Sequence, residues 1–225
     1  MPDAEEVRTV VGEVLTAAKP GAVVVEMTPH SPQVARELAD RARSSDVEYL
    51  DCPAGGGIAA VRAGALAFWA GGSEAAVERA RPVLAAIGDP ERLRHCGPVG
   101  SGLVVKLLNN YLVAVNAAAS GEALALAREA GVDVRTAIEA VVSGGGGANA
   151  QLANPYPNRV LAGDFEAGFK LGYMVKDLRH AAFDLAAELG VESPLGRAAG
   201  ARMDEAAERY GTEVDFGSVS RLSGW

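Results

Sequence analysis

Between Ser101 and Ala130 the sequence sustains one apolar run, densest from Leu103 to Leu126, and a run of that length admits few structures. As an α-helix it would extend about 45 Å at 1.5 Å per residue. Lys106, Asn109, Asn110, Asn116 and Glu122 interrupt it, and each is costly in hydrocarbon, which argues against a membrane span. The run is apolar on nearly every side, so a helix surrounded by other elements of the same protein is expected. It also divides the chain, because the patterns before and after it differ.

Ahead of it, helix and strand signals alternate. Glu5 to Ala18 has helical spacing (Val7, Val10, Val11, Val14, Leu15) and stops at Lys19-Pro20-Gly21. Ala22 to Val25 is a short apolar run of the kind a buried parallel strand shows. Ser31 and Pro32 open a helix to about Arg43, and Ser73 with Glu74 opens another to Ile87. Val47 to Leu50, Leu66 to Ala70 and Arg92 to Cys96 read as further strands. This alternation predicts a mostly parallel sheet with helices on its faces. Behind the long helix, Asp133 starts a helix to about Val142, Gly144 to Gly147 is a break, and helices are predicted over Leu171–Leu189 and Leu195–Arg209. The fold class is therefore α/β plus all-α, with the junction near Gly97 and expected domains 1–97 and 98–225.

A length of 225 residues suits one large or two small domains, on a prior of about 150 residues each. With 21 basic against 29 acidic residues the net charge is −8 and no basic stripe is present, which argues against a nucleic-acid partner. Cys52 and Cys96 form no CxxC and no disulfide framework, and acidic residues near the N-terminus stand where a signal peptide carries basic ones. A reduced, cytoplasmic protein is expected. His30, His95 and His180 are too scattered for a metal site, and Cys52, beside Pro53 at a strand end, reads as a buried structural thiol.

Two segments carry possible chemistry. Gly55 to Ala60 fits GxGxxA after a strand, with Glu74 about 20 residues on, but Gly64 interrupts before a full helix can form, so the context for a dinucleotide loop is missing. The second is Gly97-Pro-Val-Gly100-Ser-Gly102-Leu-Val-Val-Lys106-Leu-Leu-Asn109-Asn110, where small residues allow close approach and a helix then opens. Lys106 and Asn110 share a helix face that is otherwise apolar. Burial and the positive end of the helix dipole both favour loss of the lysine proton. Spacing alone favours the plainer reading, a lysine stem lying along apolar surface with its head in water and an asparagine bonding at a contact between helices.

Those residues, GPVGSGLVVKLLNN with the later EALALAREAGVD, resemble the signature of the β-hydroxyacid dehydrogenases, relatives of 6-phosphogluconate dehydrogenase. Supporting likenesses run in order through the chain: Glu26 to Pro32, Leu50 to Gly57, Ala63 to Leu66 with Gly71-Gly72, Gly168-Phe169, Lys176-Asp177-Leu178 and Asp215 to Ser218. The resemblance implies the second half of a Rossmann-type sheet followed by a helical domain. It implies an enzyme that interconverts a small 3-hydroxy acid and its semialdehyde with NAD or NADP. Lys106 would be the general acid/base, with Asn110, Phe169 and the backbone of Gly55, Gly56 and Gly57 holding substrate. Thr28, Pro29 and Lys176 would meet the cofactor, and homo-oligomerisation through the helical domain is expected.

Three departures from the family pattern bear on substrate. Gly55 replaces a loop serine, Pro29 replaces a threonine, and Gly144 to Gly147 replaces larger side chains. The family's opening GxGxxG unit is also not in this sequence, which begins about 65 residues into the pattern by the size of βαβ repeats. A fragment, a mis-set start codon or a partner-dependent remnant is the expectation, with weak or no NAD(H) binding by the 225 residues alone. The alternatives to the dehydrogenase are a non-catalytic remnant serving as an oligomerisation module and a related reductase acting on imines, a branch that generally lacks the lysine.

Overall fold

In the computed structural model, which describes residues 4–225, the chain forms two compact units, one ending at Asn109 and the other beginning at Asn110. The first contains α1 (Ala4–Ala17), β1 (Val23–Glu26), α2 (Pro32–Arg43), β2 (Glu48–Asp51), β3 (Ala54–Gly55), α3 (Gly57–Ala63), β4 (Ala67–Gly71), α4 (Glu74–Ile87) and β5 (Leu93–Gly97). It ends within α5 (Ser101–Glu129), so the predicted long helix forms as one piece.

The sheet runs β1–β2–β4–β3, with β5 also on β4. The pairs β1/β2 and β4/β5 are parallel, as the alternating pattern predicts. Between them β4 meets β2 antiparallel at the single pair Asp51–Gly71, and β3 is likewise antiparallel to β4. The sheet is therefore mixed, with its longer pairings parallel. Two-residue β3 has no periodicity to read, and Gly64, left-handed at φ +60°, turns the chain back after α3.

Apolar spacing decides which face each helix covers. Val7, Val11 and Leu15 of α1 and Val34 and Leu38 of α2 pack with Val47, Tyr49 and Leu103 on one face of the sheet. On the other, Val77, Ala80 and Leu84 of α4 pack with Leu50, Phe68, Ala70 and Leu93. The Ser73 hydroxyl caps α4 by accepting from the Ala76 amide at 3.1 Å. Ser31 precedes α2 without a side-chain capping bond, and Pro32 sets the first turn there.

The second unit holds the rest of α5, then α6 (Val134–Gly144), α7 (Ala150–Ala153), α8 (Pro155–Asn158) and α9 (Leu171–Arg179). A π-helical turn, His180–Leu185, continues α9 into α10 (Ala186–Leu189), and α11 (Pro194–Tyr210) and a 3₁₀ segment Phe216–Ser223 complete it. Ala114 and Ala117 of α5 pack with Leu171, Met174 and Leu178 of α9 and Met203 of α11. Leu124, Ile138, Leu152, Tyr156 and Val160 form a second cluster. There the Tyr156 hydroxyl donates to the Ala117 carbonyl at 2.8 Å, and only a glycine fits at 121, where a Cβ would lie 2.5 Å from that hydroxyl.

α5 is long and apolar enough to cross a membrane, yet much of its length is buried in protein. The expectation that other elements surround it needs correction. Leu108, Leu112 and Leu126 are 52%, 58% and 72% exposed. At 3.6 residues per turn these three fall on one stripe, which the described residues leave open to solvent.

Candidate active site

In the first unit the glycine loop and the lysine meet through one ring. Lys106 is buried, and its Nζ lies 5.9 Å from the centroid of the Trp69 indole on β4. A Cβ on Gly55 would fall 2.5 Å from the far edge of the same indole, so the loop backbone lies against the ring and position 55 admits only glycine. Gly56 and Gly57 follow with φ of +116° and +65°, conformations that suit glycine and free the backbone to face a ligand. Thus Gly55 and Lys106, 51 positions apart in sequence, are brought to one indole ring.

The start of α5 is held by a residue to which the sequence reading assigned no role. Asp51, fully buried at the end of β2, accepts from the Gly100 amide at 2.7 Å through Oδ1 and from the Leu103 amide at 2.8 Å through Oδ2. The small residues before Lys106 are explained by this contact. A Cβ on Gly102 would lie 2.2 Å from the Trp69 carbonyl oxygen and 2.7 Å from that of Asp51. Burial pushes the Asp51 carboxyl up to about 6, against the opposing pull of its two amide donors and the charge of His30.

Thr28 and Pro29 follow β1, where a doubly wound sheet receives dinucleotides beyond the carboxyl ends of its strands. The Thr28 amide donates to Glu26 Oε1 at 2.5 Å, and Glu26 Oε2 pairs with His30 Nε2 at 2.8 Å. His30, fully buried, therefore shapes this turn. Cys52 is also fully buried, and desolvation raises its thiol to about 12, which suits a structural role and not a nucleophile. Among the described residues no cluster of three or more His, Cys, Asp or Glu side chains could hold a metal.

In the second unit Asp177 links two of the predicted residues. Its Oδ2 accepts from Asn110 Nδ2 at 2.6 Å, and its Oδ1 stands 3.3 Å from Lys176 Nζ. Phe169 is set by Asp215, whose Oδ2 accepts from the Gly168 and Phe169 amides at 2.9 and 3.0 Å. The Phe169 ring makes edge contacts with Tyr173 and Phe216. Both aspartates stand in segments that the sequence reading singled out, but nothing local shows that their partners lie 67 and 46–47 positions away.

An α/β unit and a helical unit sharing one helix, with a buried lysine and asparagine a turn apart on it, make up the architecture of a Rossmann-type dehydrogenase. Residues 1–100 match the family model described as the NAD binding domain of 6-phosphogluconate dehydrogenase. Residues 100–223 match that described as the NAD-binding of NADP-dependent 3-hydroxyisobutyrate dehydrogenase. A probable 3-hydroxyisobutyrate dehydrogenase of Mycobacterium bovis is 33% identical over 97% of this chain and 75% of its own length. An NAD-dependent L-serine dehydrogenase of Pseudomonas aeruginosa is 34% identical over 90% of this chain and 69% of its own. The solved structure of Mycobacterium tuberculosis 3-hydroxyisobutyrate dehydrogenase with L-serine superposes at a TM-score of 0.89, with 33% identity, over 99% of this chain and 77% of that one. The chain belongs to the β-hydroxyacid dehydrogenase family.

Proposed function

We propose that the protein is an NAD- or NADP-dependent oxidoreductase that interconverts a small 3-hydroxy acid and its semialdehyde or oxo acid, with Lys106 as general acid/base. The observation that carries this reading is the buried Lys106 amine beside the Trp69 plate and the glycine loop. An amine held in a confined place off water is suited to moving one proton to and from a substrate hydroxyl. Bound NAD or NADP supplies the hydride acceptor for oxidation, and its reduced form the donor for reduction. Lys106 takes the hydroxyl proton as hydride leaves the same carbon, and returns it on reduction. Asn110, fixed by Asp177, orients the substrate, while the amides of Gly56 and Gly57 receive its carboxylate and Phe169 closes the pocket.

The residues at the carboxyl end of β1 fit the nicotinamide end of a dinucleotide, because the Thr28 backbone is held there by Glu26 and Pro29 stiffens the turn. Lys176 of the helical unit is assigned to the same cofactor by the family resemblance alone. The Gly55–Ala60 match opens only the seven-residue α3 and does not serve as the pyrophosphate loop. Cytoplasmic location and homo-oligomerisation extend the reading, the latter supported by the Leu108–Leu112–Leu126 stripe. The same stripe favours the second reading, a non-catalytic oligomerisation module.

A panel of small hydroxy acids and semialdehydes with both cofactors tests the reaction class, and no turnover with any of them would leave the module. In a form of the protein that binds the cofactor, Lys106→Ala is expected to abolish turnover while cofactor affinity stays near normal. An unchanged kcat would remove the lysine from the chemistry.

A further inference from the structure

The α/β unit contains a buried acid that the chemistry above does not use. Asp51 is joined along the chain to one part of the proposed site and hydrogen-bonded to the backbone of the other. Behind it, Pro53 and Ala54 lead into Gly55–Gly57, and its two oxygens grip Gly100 and Leu103 at the start of the helix that carries Lys106. The grip is close on all sides. A Cβ on Gly71 would lie 2.4 Å from Asp51 Oδ1, and one on Gly102 3.0 Å from Oδ2. A carboxylate at a helix N-terminus satisfies amides that have no partner inside the helix and meets the positive end of its dipole. Here it also fixes the helix to the sheet, and Lys106 comes one turn after Leu103.

We propose that Asp51 is the positioning residue for Lys106, a carboxylate strut that holds the lysine helix and the glycine loop in one geometry and releases that geometry when protonated. The proposal rests on the reading of Lys106 as the acid/base. Both oxygens accept hydrogen bonds, so the anion is the form that fits best, and a proton on either oxygen weakens it as an acceptor and adds an O–H donor to the pocket. The groups around it are His30, whose charge favours the anion, and Tyr49, Cys52 and Cys96, whose own ionisation the Asp51 charge opposes. Glu26 acts on Tyr49 and Cys52 in the same sense, and Arg36 of α2 approaches Gly100. With the carboxyl raised to about 6, the strut disengages only in mild acid.

The test uses Asp51→Asn, which keeps the shape but turns an amide donor towards one of the two N–H groups. Turnover is measured from pH 5 to 8 in the reducing direction, with 2-methyl-3-oxopropanoate and NADH or NADPH. There the lysine must start protonated and its own ionisation gives an alkaline limb, so an acid limb reports another group. In the unaltered protein kcat should fall below pH about 6. In Asp51→Asn that limb should vanish, and the plateau should drop about 10- to 100-fold with KM changed far less, as for a catalytic group displaced by about an ångström. In parallel, the side-chain carbon resonance of Lys106, assigned with Lys106→Arg, is followed over the same range. It should move with a midpoint near 6 in the unaltered protein and stay flat in Asp51→Asn. A lysine resonance indifferent to pH in that window, or a kcat and pH profile in Asp51→Asn equal to those of the unaltered protein, would overturn the proposal. If Asp51→Asn does not fold, the titration of the unaltered protein decides alone. Retained turnover in Lys106→Ala would sink the acid/base reading separately, because the resonance readout needs no turnover.

Discussion

At the scale of single residues, Asp51 carries two opposed effects. Its amide donors favour the anion, while burial opposes it and prevails, raising the carboxyl from 3.8 to about 6. The sign of the consequence follows from proton counting. Between pH 4 and 6 the folded state holds a proton that the unfolded chain has released, so the contribution is complete below the unfolded value and is lost as pH rises through about 6. A shift of this size corresponds to about 3 kcal/mol. Urea unfolding at pH 4 and pH 7 should show this fall in the unaltered protein relative to Asp51→Asn; equal falls in both would refute it. The thiols give a second expectation. Cys52 is buried with its thiol raised to about 12, whereas Cys96 is partly exposed, so an aromatic disulfide reagent at pH 8 should label Cys96 and reach Cys52 only on unfolding. Labelling of both in the folded protein would contradict that burial. Lys106 stands out in the sequence as a charge in an apolar run, but its spacing favours a stem lying along apolar surface, and the role proposed for it comes from the family resemblance. Asp51 does not stand out, because its partners lie 49 and 52 positions away and a lone acid after a strand has no pattern.

At the scale of elements, the helices and parallel strands were legible because their signals are local. Ser73, Asp133, Gly131 and Gly190 mark ends that the structure keeps, with Asp133 accepting from the Thr136 amide at 2.9 Å. The antiparallel meeting of β2 and β4 was not legible, since it is one residue pair formed after a two-residue strand and a turn. Nor were the short helices between 150 and 162, which are too brief to show a period. The loop that carries Phe169 depends on Asp215, which accepts from Gly168, Phe169, Gly217 and Arg159. Asp215→Ala should therefore cost about 3 kcal/mol by leaving several donors unpaired. In the proposed site it should also raise KM more than it lowers kcat, because the role proposed for Phe169 is to hold substrate and not to move a proton. A thermal melt and initial rates together check both, and an unchanged melt would show that the loop holds itself.

At the scale of the whole molecule, α5 belongs to both units and still keeps a leucine stripe open to solvent. Covering these three leucines would bury apolar surface worth about 25 cal/mol per Å², the driving force for the proposed self-association. Sedimentation velocity should find a dimer or larger in the unaltered protein and a monomer in Leu112→Arg with Leu126→Arg. A monomer in both would show that the stripe has no partner of its own kind. The contact among Asp51, Gly71 and Gly102 also bears on how this sequence can change over generations. Gly71 cannot gain a carbon while the acid stands there, whereas at Gly102 a side chain would also meet the Trp69 and Asp51 carbonyl oxygens, which no exchange of the acid removes. Positions 51 and 71 are therefore coupled in descent, and position 102 is held by backbone alone. In a saturation library every single change at 71 or 102 should score as a loss, and tolerated departures at 71 should come only together with a smaller residue at 51.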